Sequence, residues 1–233
     1  MIEAAVPEIA FETLSGGRPV VVLAPHPDDE ALGCGALLSH AFAGPGGHVV
    51  CMTDGGASHP GSTAWPRDRL VEQRARELDA AVNALGGHAG DVTRLALPDA
   101  GMPGLTEVER DRIAQRIADL AERLGAELLV ATAASDPHCD HVVTAGIGRR
   151  AADLGGMRCL YYPIWSRWTG QVVSGTRYRL PSAAMRPRKA SAIAAHHSQH
   201  GGLIADDPQG FVLPEDFVSR FLESDEIFVD VPR

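Results

Sequence analysis

Two runs of apolar residues in this chain end abruptly in clusters of histidine and aspartate. The first run, residues 20–24, is followed by PHPDDE at residues 25–30, and the second, residues 127–134, is followed by SDPHCDH at residues 135–141. Such runs predict strands that are buried on both faces, and Pro25 and Pro27 predict that the first strand stops there. Ligands bind beyond the carboxyl ends of the strands in open α/β sheets. Both clusters are therefore predicted to lie where a functional site forms.

The remaining apolar positions alternate between strand and helix periodicity. Further strands are predicted at 48–53, 92–97, 158–165 and 226–231, and helices at 31–40, 67–85, 107–123, 142–154, 186–199 and 215–223. Thr106 is predicted to cap the third of these helices. This alternation is typical of an α/β, Rossmann-like three-layer fold, with a mostly parallel sheet and helices on both faces. A length of 233 residues predicts a single domain over residues 1–233.

Three stretches lack a clear period. Residues 1–17 are predicted to be a lead-in that ends in a turn, and residues 166–180 to be irregular or a short hairpin. Residues 54–66 form a loop that is longer than a structural connection requires, which favours a lid or a wall of a substrate site. We expect His59 in this loop to be solvated rather than a metal ligand.

Composition argues against several classes of protein. The formal net charge is −9 and Lys189 is the one lysine, which argues against nucleic acid or an anionic membrane surface as a partner. No apolar run approaches the roughly 20 residues of a membrane span, and the first residues lack the pattern of a secretory signal, so we expect a soluble cytoplasmic protein. The four cysteines are scattered without a C-x-x-C pair, which argues against a disulfide framework and a cysteine zinc site.

The two polar clusters supply nitrogen and oxygen ligands at the spacing of a metal site. His26 and Asp29 are three residues apart, as are His138 and His141. One His-x-x-His alone is more often a polar strand end, but two clusters that follow strands of one chain favour a metal site. A catalytic zinc ion takes three protein ligands and leaves a fourth position for water. Spacing alone does not exclude Asp28 or His138 as a ligand.

The combination of PHPDDE and, at residues 138–141, HCDH resembles the PIG-L/LmbE-like family of zinc-dependent N-deacetylases. Weaker matches extend the resemblance over most of residues 18–200: TDG at 53–55, RAREL at 74–78, LPD at 97–99 and HHSQ at 196–199. The resemblance implies an enzyme that uses Zn²⁺ to hydrolyse a linear amide bond. Its partner would be a small-molecule N-acyl amino sugar.

The resemblance also implies metal ligands and catalytic residues. The ligands are His26, Asp29 and His141. Asp28 would take a proton as water attacks the amide. His138 would face the developing oxyanion as an imidazolium, and Asp140 would hold the tautomer of that ring.

Substrate contacts are assigned by the resemblance to Arg74 and Asp99. A surface ion pair between Arg74 and Glu77 is the alternative for the arginine. For residues 196–200, the resemblance favours a supporting role near the site over a second metal site. The family more often has proline where this chain has Cys139, so this thiol is a candidate adventitious ligand or oxidation site.

These residues together predict a zinc-dependent hydrolase that removes an N-acetyl or longer N-acyl group from a glucosamine-type conjugate. The alternatives are an amidase of a sugar-linked thiol conjugate and a Rossmann-like carbohydrate- or nucleotide-binding protein without turnover. The nucleotide pattern G-x-G-x-x-G is absent, because GCG at residues 33–35 lacks the third glycine and follows the acidic cluster. Nothing in the sequence selects the aglycone, and both a monomer and a homo-oligomer fit it.

Overall fold

A seven-stranded sheet forms the middle layer of the molecule. The computed structural model describes residues 6–171 and 174–232. The strands are β1 (Val20–Ala24), β2 (Gly47–Thr53), β3 (Val92–Leu97), β4 (Leu128–Thr132), β5 (Arg158–Tyr162), β6 (Thr176–Leu180) and β7 (Glu226–Asp230). The helices are α1 (Phe11–Ser15), α2 (Asp29–Ala43), α3 (Arg67–Leu85), α4 (Glu107–Leu124), α5 (Cys139–Gly155), α6 (Trp165–Thr169), α7 (Arg186–Ala194) and α8 (Glu215–Glu223).

The strand order places the ends of β1 and β4 side by side. The order across the sheet is β3-β2-β1-β4-β5-β7-β6. Neighbouring strands from β3 to β5 are parallel, and β7 is antiparallel to both β5 and β6. The chain winds outward from β1 through β2 to β3 and then restarts on the other side with β4. The strand order therefore reverses between β1 and β4, where open α/β sheets leave a crevice for ligands.

The side chains of β1 alternate between two apolar cores, so every residue of this strand is buried. Val20, Val22 and Ala24 pack with α2, α3, α7 and α8, whereas Val21 and Leu23 pack with α4 and α5. Helices thus cover both faces of a mostly parallel sheet. The predicted α/β three-layer fold is confirmed.

Helix α2 lies against the sheet at Gly33. A Cβ atom at Gly33 would lie 2.2 Å from Cδ2 of Tyr162, the last residue of β5. The hydroxyl of Tyr162 donates a hydrogen bond to the carbonyl of Leu23 at 2.8 Å. The missing side chain therefore allows the helix that begins at Asp29 to pack directly against the strand ends at the crevice.

Thr106 caps α4 as predicted, because its hydroxyl accepts a hydrogen bond from the backbone of Glu109. The predicted helix 186–199 is too long, since α7 ends at Ala194 and a 3₁₀ turn occupies His197–Gln199. Its alanines favour a longer helix, but tertiary contacts of the residues that follow override that propensity.

Residues 158–180 also differ from the prediction. The strand predicted over 158–165 ends at Tyr162, and Trp165 begins α6. Residues 176–180 are a regular edge strand that pairs with β7, and Arg177 and Arg179 in it are half-buried. Residues 172–173, like residues 1–5 of the predicted lead-in, lie outside the described residues. The single domain over residues 1–233 stays a prediction.

Within the two described ranges, no helix is both long enough and apolar enough to cross a membrane.

Candidate active site

His26 and Asp29 meet in the tight turn that joins β1 to α2. His26 follows the strand, and Asp29 is the first residue of the helix. One carboxylate oxygen of Asp29, Oδ2, accepts a hydrogen bond from the backbone N–H of His26 at 3.0 Å and lies 3.2 Å from its Nδ1. The three-residue spacing thus brings a ring nitrogen and a carboxylate oxygen to one point.

His141 reaches the same point from the first turn of α5. Its Nε2 lies 3.4 Å from Asp29 Oδ2 but has no hydrogen-bond partner among the described residues, although the ring is buried. Two ligands of a tetrahedral zinc ion at about 2.0–2.1 Å from the metal are about 3.3 Å apart. The separations from Asp29 Oδ2 to the two histidine nitrogens match this value. Two groups of described residues place one ligand atom each within 4.8 Å of one another and so fit a divalent cation: His26, His138 and His141, and His26, Asp99, His138 and Asp140. Asp29 belongs to neither group, so the ligand set His26, Asp29 and His141 stays a prediction.

Asp136, which the sequence analysis did not assign, orients the ring of His141. Its Oδ2 lies 2.9 Å from His141 Nδ1 and accepts the backbone N–H of Ile164 at 3.0 Å. Its Oδ1 accepts the N–H and the hydroxyl of Ser166. As the acceptor of this hydrogen bond, Asp136 fixes the proton of His141 on Nδ1 and leaves the Nε2 lone pair free for a metal. The sequence feature that could have identified Asp136 is its position inside the SDPHCDH cluster.

His138 is the N-terminal cap of α5 and lies beside His26, with ring centroids 4.5 Å apart. Its Nδ1 accepts a hydrogen bond from the backbone N–H of Asp140 at 3.2 Å, so the neutral ring carries its proton on Nε2. Burial, together with the charges of His26 and His141, lowers the pKa of His138, which favours the neutral ring over the predicted imidazolium. One ligand atom from each of these three histidines lies within 4.8 Å of the others, so His138 stays an alternative ligand.

Asp140 is fully buried and contacts different atoms from those predicted. Its carboxylate accepts the backbone N–H groups of Ala100 and Met102 at 2.8 and 3.2 Å, and Oδ2 lies 3.2 Å from His26 Nε2. The backbone of Asp140, not its carboxylate, holds the ring of His138. The carboxylate instead fixes the loop after β3 against the site.

Asp99 lies in that loop and faces the same nitrogen of His26. Its Oδ1 is 3.2 Å from His26 Nε2, and its Oδ2 accepts the backbone N–H of Ala57 at 2.9 Å. The structure therefore brings Asp99 next to the predicted metal ligands and ties it to the loop of residues 54–66.

The aspartates of the site favour a positive charge on His26 and His141. Burial lowers the pKa of His26, but hydrogen bonds to Asp140 and Asp29 outweigh it and raise the pKa well above the ordinary value. Burial also lowers the pKa of His141, but the negative charge of Asp29 outweighs this effect and raises the pKa to about 9. For Asp29, burial is outweighed by the two histidines, which hold its pKa well below the usual range. A divalent cation would satisfy the same carboxylates.

Asp28 has a backbone conformation that non-glycine residues rarely adopt, with φ at 144°. Its Oδ2 accepts a hydrogen bond from Nη2 of Arg74 at 3.0 Å. Burial raises the pKa of Asp28 to about 6, with the positive charge of Arg74 opposing and the negative charge of Asp29 adding to the rise. A carboxyl with this pKa can accept and return a proton near neutral pH.

Arg74 is only 2% exposed, so the alternative of a surface ion pair with Glu77 is wrong. Besides Asp28, its guanidinium donates to the carbonyls of Pro27 and Gly55 at 2.7 and 2.9 Å. Glu77 is also buried and accepts the N–H and the hydroxyl of Ser198. The contact of Arg74 with a sugar stays a prediction.

His196 and His59 are both buried. Nε2 of His196 lies 2.9 Å from Oε1 of Glu30. This contact agrees with the predicted role of His196 as a residue that holds a neighbour of the site in place. His59 is 3% exposed, so the prediction that it is solvated is wrong. Its ring lies beside Gly210, whose segment folds over the loop of residues 54–66. Tertiary packing of a second loop, which the local sequence does not reveal, buries this histidine.

Two aspartates tie the loop of residues 54–66 to that second loop. Asp206 accepts hydrogen bonds from the hydroxyl of Ser62 and the backbone N–H groups of Thr63 and Ala64. Asp207 accepts the backbone N–H of Gly61 at 2.9 Å. The loop is therefore a fixed wall beside Asp99.

Cys139 is exposed, and its thiol lies 3.8 Å from Oδ1 of Asp140. Among the described residues, it does not belong to a group that could hold a metal ion.

Comparisons with known proteins give the family and the fold of this chain. Residues 21–152 match the PIG-L family model, described as GlcNAc-PI de-N-acetylase. The chain is 33% identical over 168 residues to 2'-N-acetylparomamine deacetylase of Streptomyces fradiae, a match that covers 65% of this chain and 58% of the relative. The chain thus spans little more than half the length of that relative.

Two solved structures share the fold. The A40926 pseudoaglycone deacetylase Dbv21 has a TM-score of 0.68 at 22% identity, covering 93% of this chain and 98% of that chain. The 4-carboxy-2-hydroxymuconate hydratase of Pseudomonas putida has a TM-score of 0.66 at 17% identity, covering 88% and 83%. One fold thus carries two chemistries, and at these identities the likeness concerns the fold alone. The family model, which matches more than half of the residues, shows that this chain belongs to the PIG-L family.

Proposed function

We propose that this chain is a zinc-dependent hydrolase that removes an N-acetyl or N-acyl group from a glucosamine-type amino sugar. The observation that carries the proposal is the convergence of a carboxylate oxygen of Asp29 with a ring nitrogen each of His26 and His141, one of them buried without a hydrogen-bond partner. Membership of a family described as a de-N-acetylase supports the amide as the bond that is cleaved.

His26, Asp29 and His141 would hold the metal ion, in agreement with the donor set that zinc prefers at catalytic sites. Zinc there would supply Lewis acidity toward water and toward the amide carbonyl. Asp136 would keep the Nε2 lone pair of His141 directed at the ion, since it binds the opposite nitrogen at 2.9 Å.

Asp28 would be the general base. Its pKa of about 6 supports this role, because the carboxylate is then ionised at neutral pH and still basic enough to take a proton from water. After the tetrahedral intermediate forms, the same group would return that proton to the amide nitrogen, so that the amine leaves and a carboxylic acid remains.

His138 would donate its Nε2–H to the amide oxygen as negative charge develops there. The hydrogen bond from the backbone N–H of Asp140 to Nδ1 supports this assignment, because it requires the proton of the neutral ring to be on Nε2. The carboxylate of Asp140 would keep the loop of Ala100 and Met102 close to the site.

Asp99 and Arg74 would bind the sugar. The position of Asp99 beside His26 supports a contact with a hydroxyl of a substrate whose amide lies at the metal. Arg74 would reach a sugar hydroxyl with an N–H group that its present acceptors leave free, since two carbonyls and Asp28 receive three of its five N–H groups and Nε has no partner among the described residues.

The test is release of primary amine from N-acetylglucosamine, its inositol glycoside, 2'-N-acetylparomamine and longer-acyl analogues by the zinc-loaded protein. We expect at least one substrate to give equal amounts of amine and carboxylate. The matched control is Asp29→Asn, which should lose both metal and activity. Zinc-loaded protein that releases no amine but binds sugars or nucleotides tightly would contradict the proposal and favour the binding-protein alternative.

A further inference from the structure

The backbone of Asp28 is held in its strained conformation by a neighbouring carboxylate. Oε2 of Glu30 accepts the backbone N–H of Asp28 at 3.0 Å. A non-glycine residue at a φ of 144° is strained and persists only where surrounding contacts fix it. Glu30 supplies such a contact from two residues further along the chain.

Glu30 is itself held from the other side of the fold. Its second oxygen, Oε1, lies 2.9 Å from Nε2 of His196, and both side chains are fully buried. His196 lies between the end of α7 and the 3₁₀ turn that begins at His197. Ser198 in the same turn is also buried, and it donates its N–H and its hydroxyl to Glu77 on α3.

The orientation of the Asp28 carboxylate thus depends on Arg74 and Glu30 together. Arg74 binds one carboxylate oxygen and donates to the carbonyl of Pro27, and Glu30 accepts the N–H of the same Pro27–Asp28 peptide. Without Glu30, the carbonyl side of this peptide would keep its contact with Arg74, but its N–H side would lose the contact that fixes it. A misplacement of about 1 Å at a catalytic group can lower the rate about a hundredfold.

We propose that Glu30 and His196 are a positioning pair that fixes the backbone of Asp28, and through it the carboxylate that acts as the general base. The inference rests on the proposed function in one respect, the role of Asp28. Glutamate suits the position because each of its oxygens has a different task, one toward the Asp28 N–H and one toward His196. Neither residue would touch the substrate.

Crystal structures of the metal-loaded wild type and of Glu30→Leu test the geometry without reference to activity. Leucine keeps the volume of the buried side chain but removes both acceptor oxygens. We expect φ of Asp28 to leave the positive region and its contact with Arg74 to open, with the metal still bound. An unchanged Asp28 backbone with the Arg74 contact intact would overturn the inference, whatever the substrate proves to be.

Kinetics on a substrate that the wild type deacetylates test the consequence. Glu30→Leu should lower kcat about tenfold or more with KM and metal content close to those of the wild type. Glu30→Gln, which keeps one acceptor oxygen, should recover part of this loss. In the Asp28→Asn background, Glu30→Leu should have no further effect on kcat, because there is no base left to position. A full additional loss in that background would overturn the inference.

Asp68→Asn, which changes an exposed acid on α3, is the control. It should keep the kcat of the wild type. If Glu30→Leu does not fold, His196→Asn replaces it, since it withdraws the partner of Glu30 and leaves the acceptor of the Asp28 N–H in place. A kcat equal to that of the wild type in this variant would overturn the inference. Failure of the wild type to release amine would instead count against the proposed function, and the crystal structures would still decide the role of Glu30.

Discussion

At the scale of single residues, the site separates two adjacent aspartates that the sequence leaves equivalent. Asp29 faces two histidines, which hold its pKa low, whereas Asp28 is buried against Arg74 and has a pKa of about 6. One carboxylate is thus suited to bind a cation and the other to carry a proton.

Asp28→Asn tests this division. We expect the variant to keep its metal and to lose turnover by about a hundredfold or more, the size of a lost general base. Metal analysis and steady-state kinetics measure both effects. Asp68→Asn, an exposed acid on α3, should behave like the wild type. Loss of metal from Asp28→Asn would mean that Asp28 is the ligand.

Arg74→Ala tests which partner of the guanidinium matters. The sequence predicts a rise in KM, as expected for a lost sugar contact. Because Arg74 also binds Asp28, Pro27 and Gly55, we expect kcat to fall more than KM rises. The exposed Arg76→Ala on the same helix is the control. A rise in KM without a fall in kcat would mean that Arg74 acts through its contact with the sugar and not through Asp28.

Asp136→Asn tests the residue that orients His141. Asparagine keeps an acceptor but loses the charge, so metal affinity should fall about 10- to 100-fold. Competition with a chromogenic chelator measures the affinity without an activity assay. Asp119→Asn, on the exposed face of α4, is the control. An unchanged affinity would show that His141 is not a ligand or does not need its carboxylate partner.

At the scale of elements, a buried ion pair joins α7 and β7 to the middle of α2. Lys189 Nζ donates to Glu226 Oε1 at 2.6 Å, with both side chains fully buried. Glu226 also accepts the N–H groups of Ala36 and Leu37. The lone lysine of the chain therefore neutralises a carboxylate that fixes the helix leading into the site.

Lys189→Met should destabilise the fold by about 3–5 kcal/mol, because it leaves the charge of Glu226 buried and unpaired. Urea denaturation measures the free energy of unfolding. The exposed Arg186→Met on the same helix should change it by less than about 0.5 kcal/mol. A small effect of Lys189→Met would contradict the prediction and mean that the buried ion pair adds little to the stability of the fold.

At the scale of the whole molecule, the metal would join two halves of the sheet, since its ligands come from the ends of β1 and β4. Removal of zinc with a chelator should lower the melting temperature, because binding to the folded state alone adds about 2.7 kcal/mol at a hundredfold excess over Kd. For a chain of this size, that corresponds to roughly 5–10 °C. Zinc should restore the original value, and His141→Ala should not respond to the chelator.

The amino-acid sequence was enough to predict the α/β class, the mostly parallel sheet and the two strand ends that carry the histidine and aspartate clusters. Uniformly apolar strands such as β1 and the histidine clusters that follow β1 and β4 are local patterns, and their meaning does not depend on distant residues. His26, Asp29 and His141 could be chosen as ligands because a resemblance of motifs added roles to that pattern.

The partners of the buried polar groups follow from packing between distant segments and could not be predicted from the sequence. Asp136 on His141, Glu30 on the Asp28 backbone and the burial of His59 all depend on contacts between segments far apart in the chain. The same holds for the end of α7, where His196 and Ser198 bind carboxylates on α2 and α3 and so override a helical propensity. A polar side chain near a strand end has many candidate partners, and the one it binds is fixed by packing, because a buried polar group must find its hydrogen bond wherever the fold provides it.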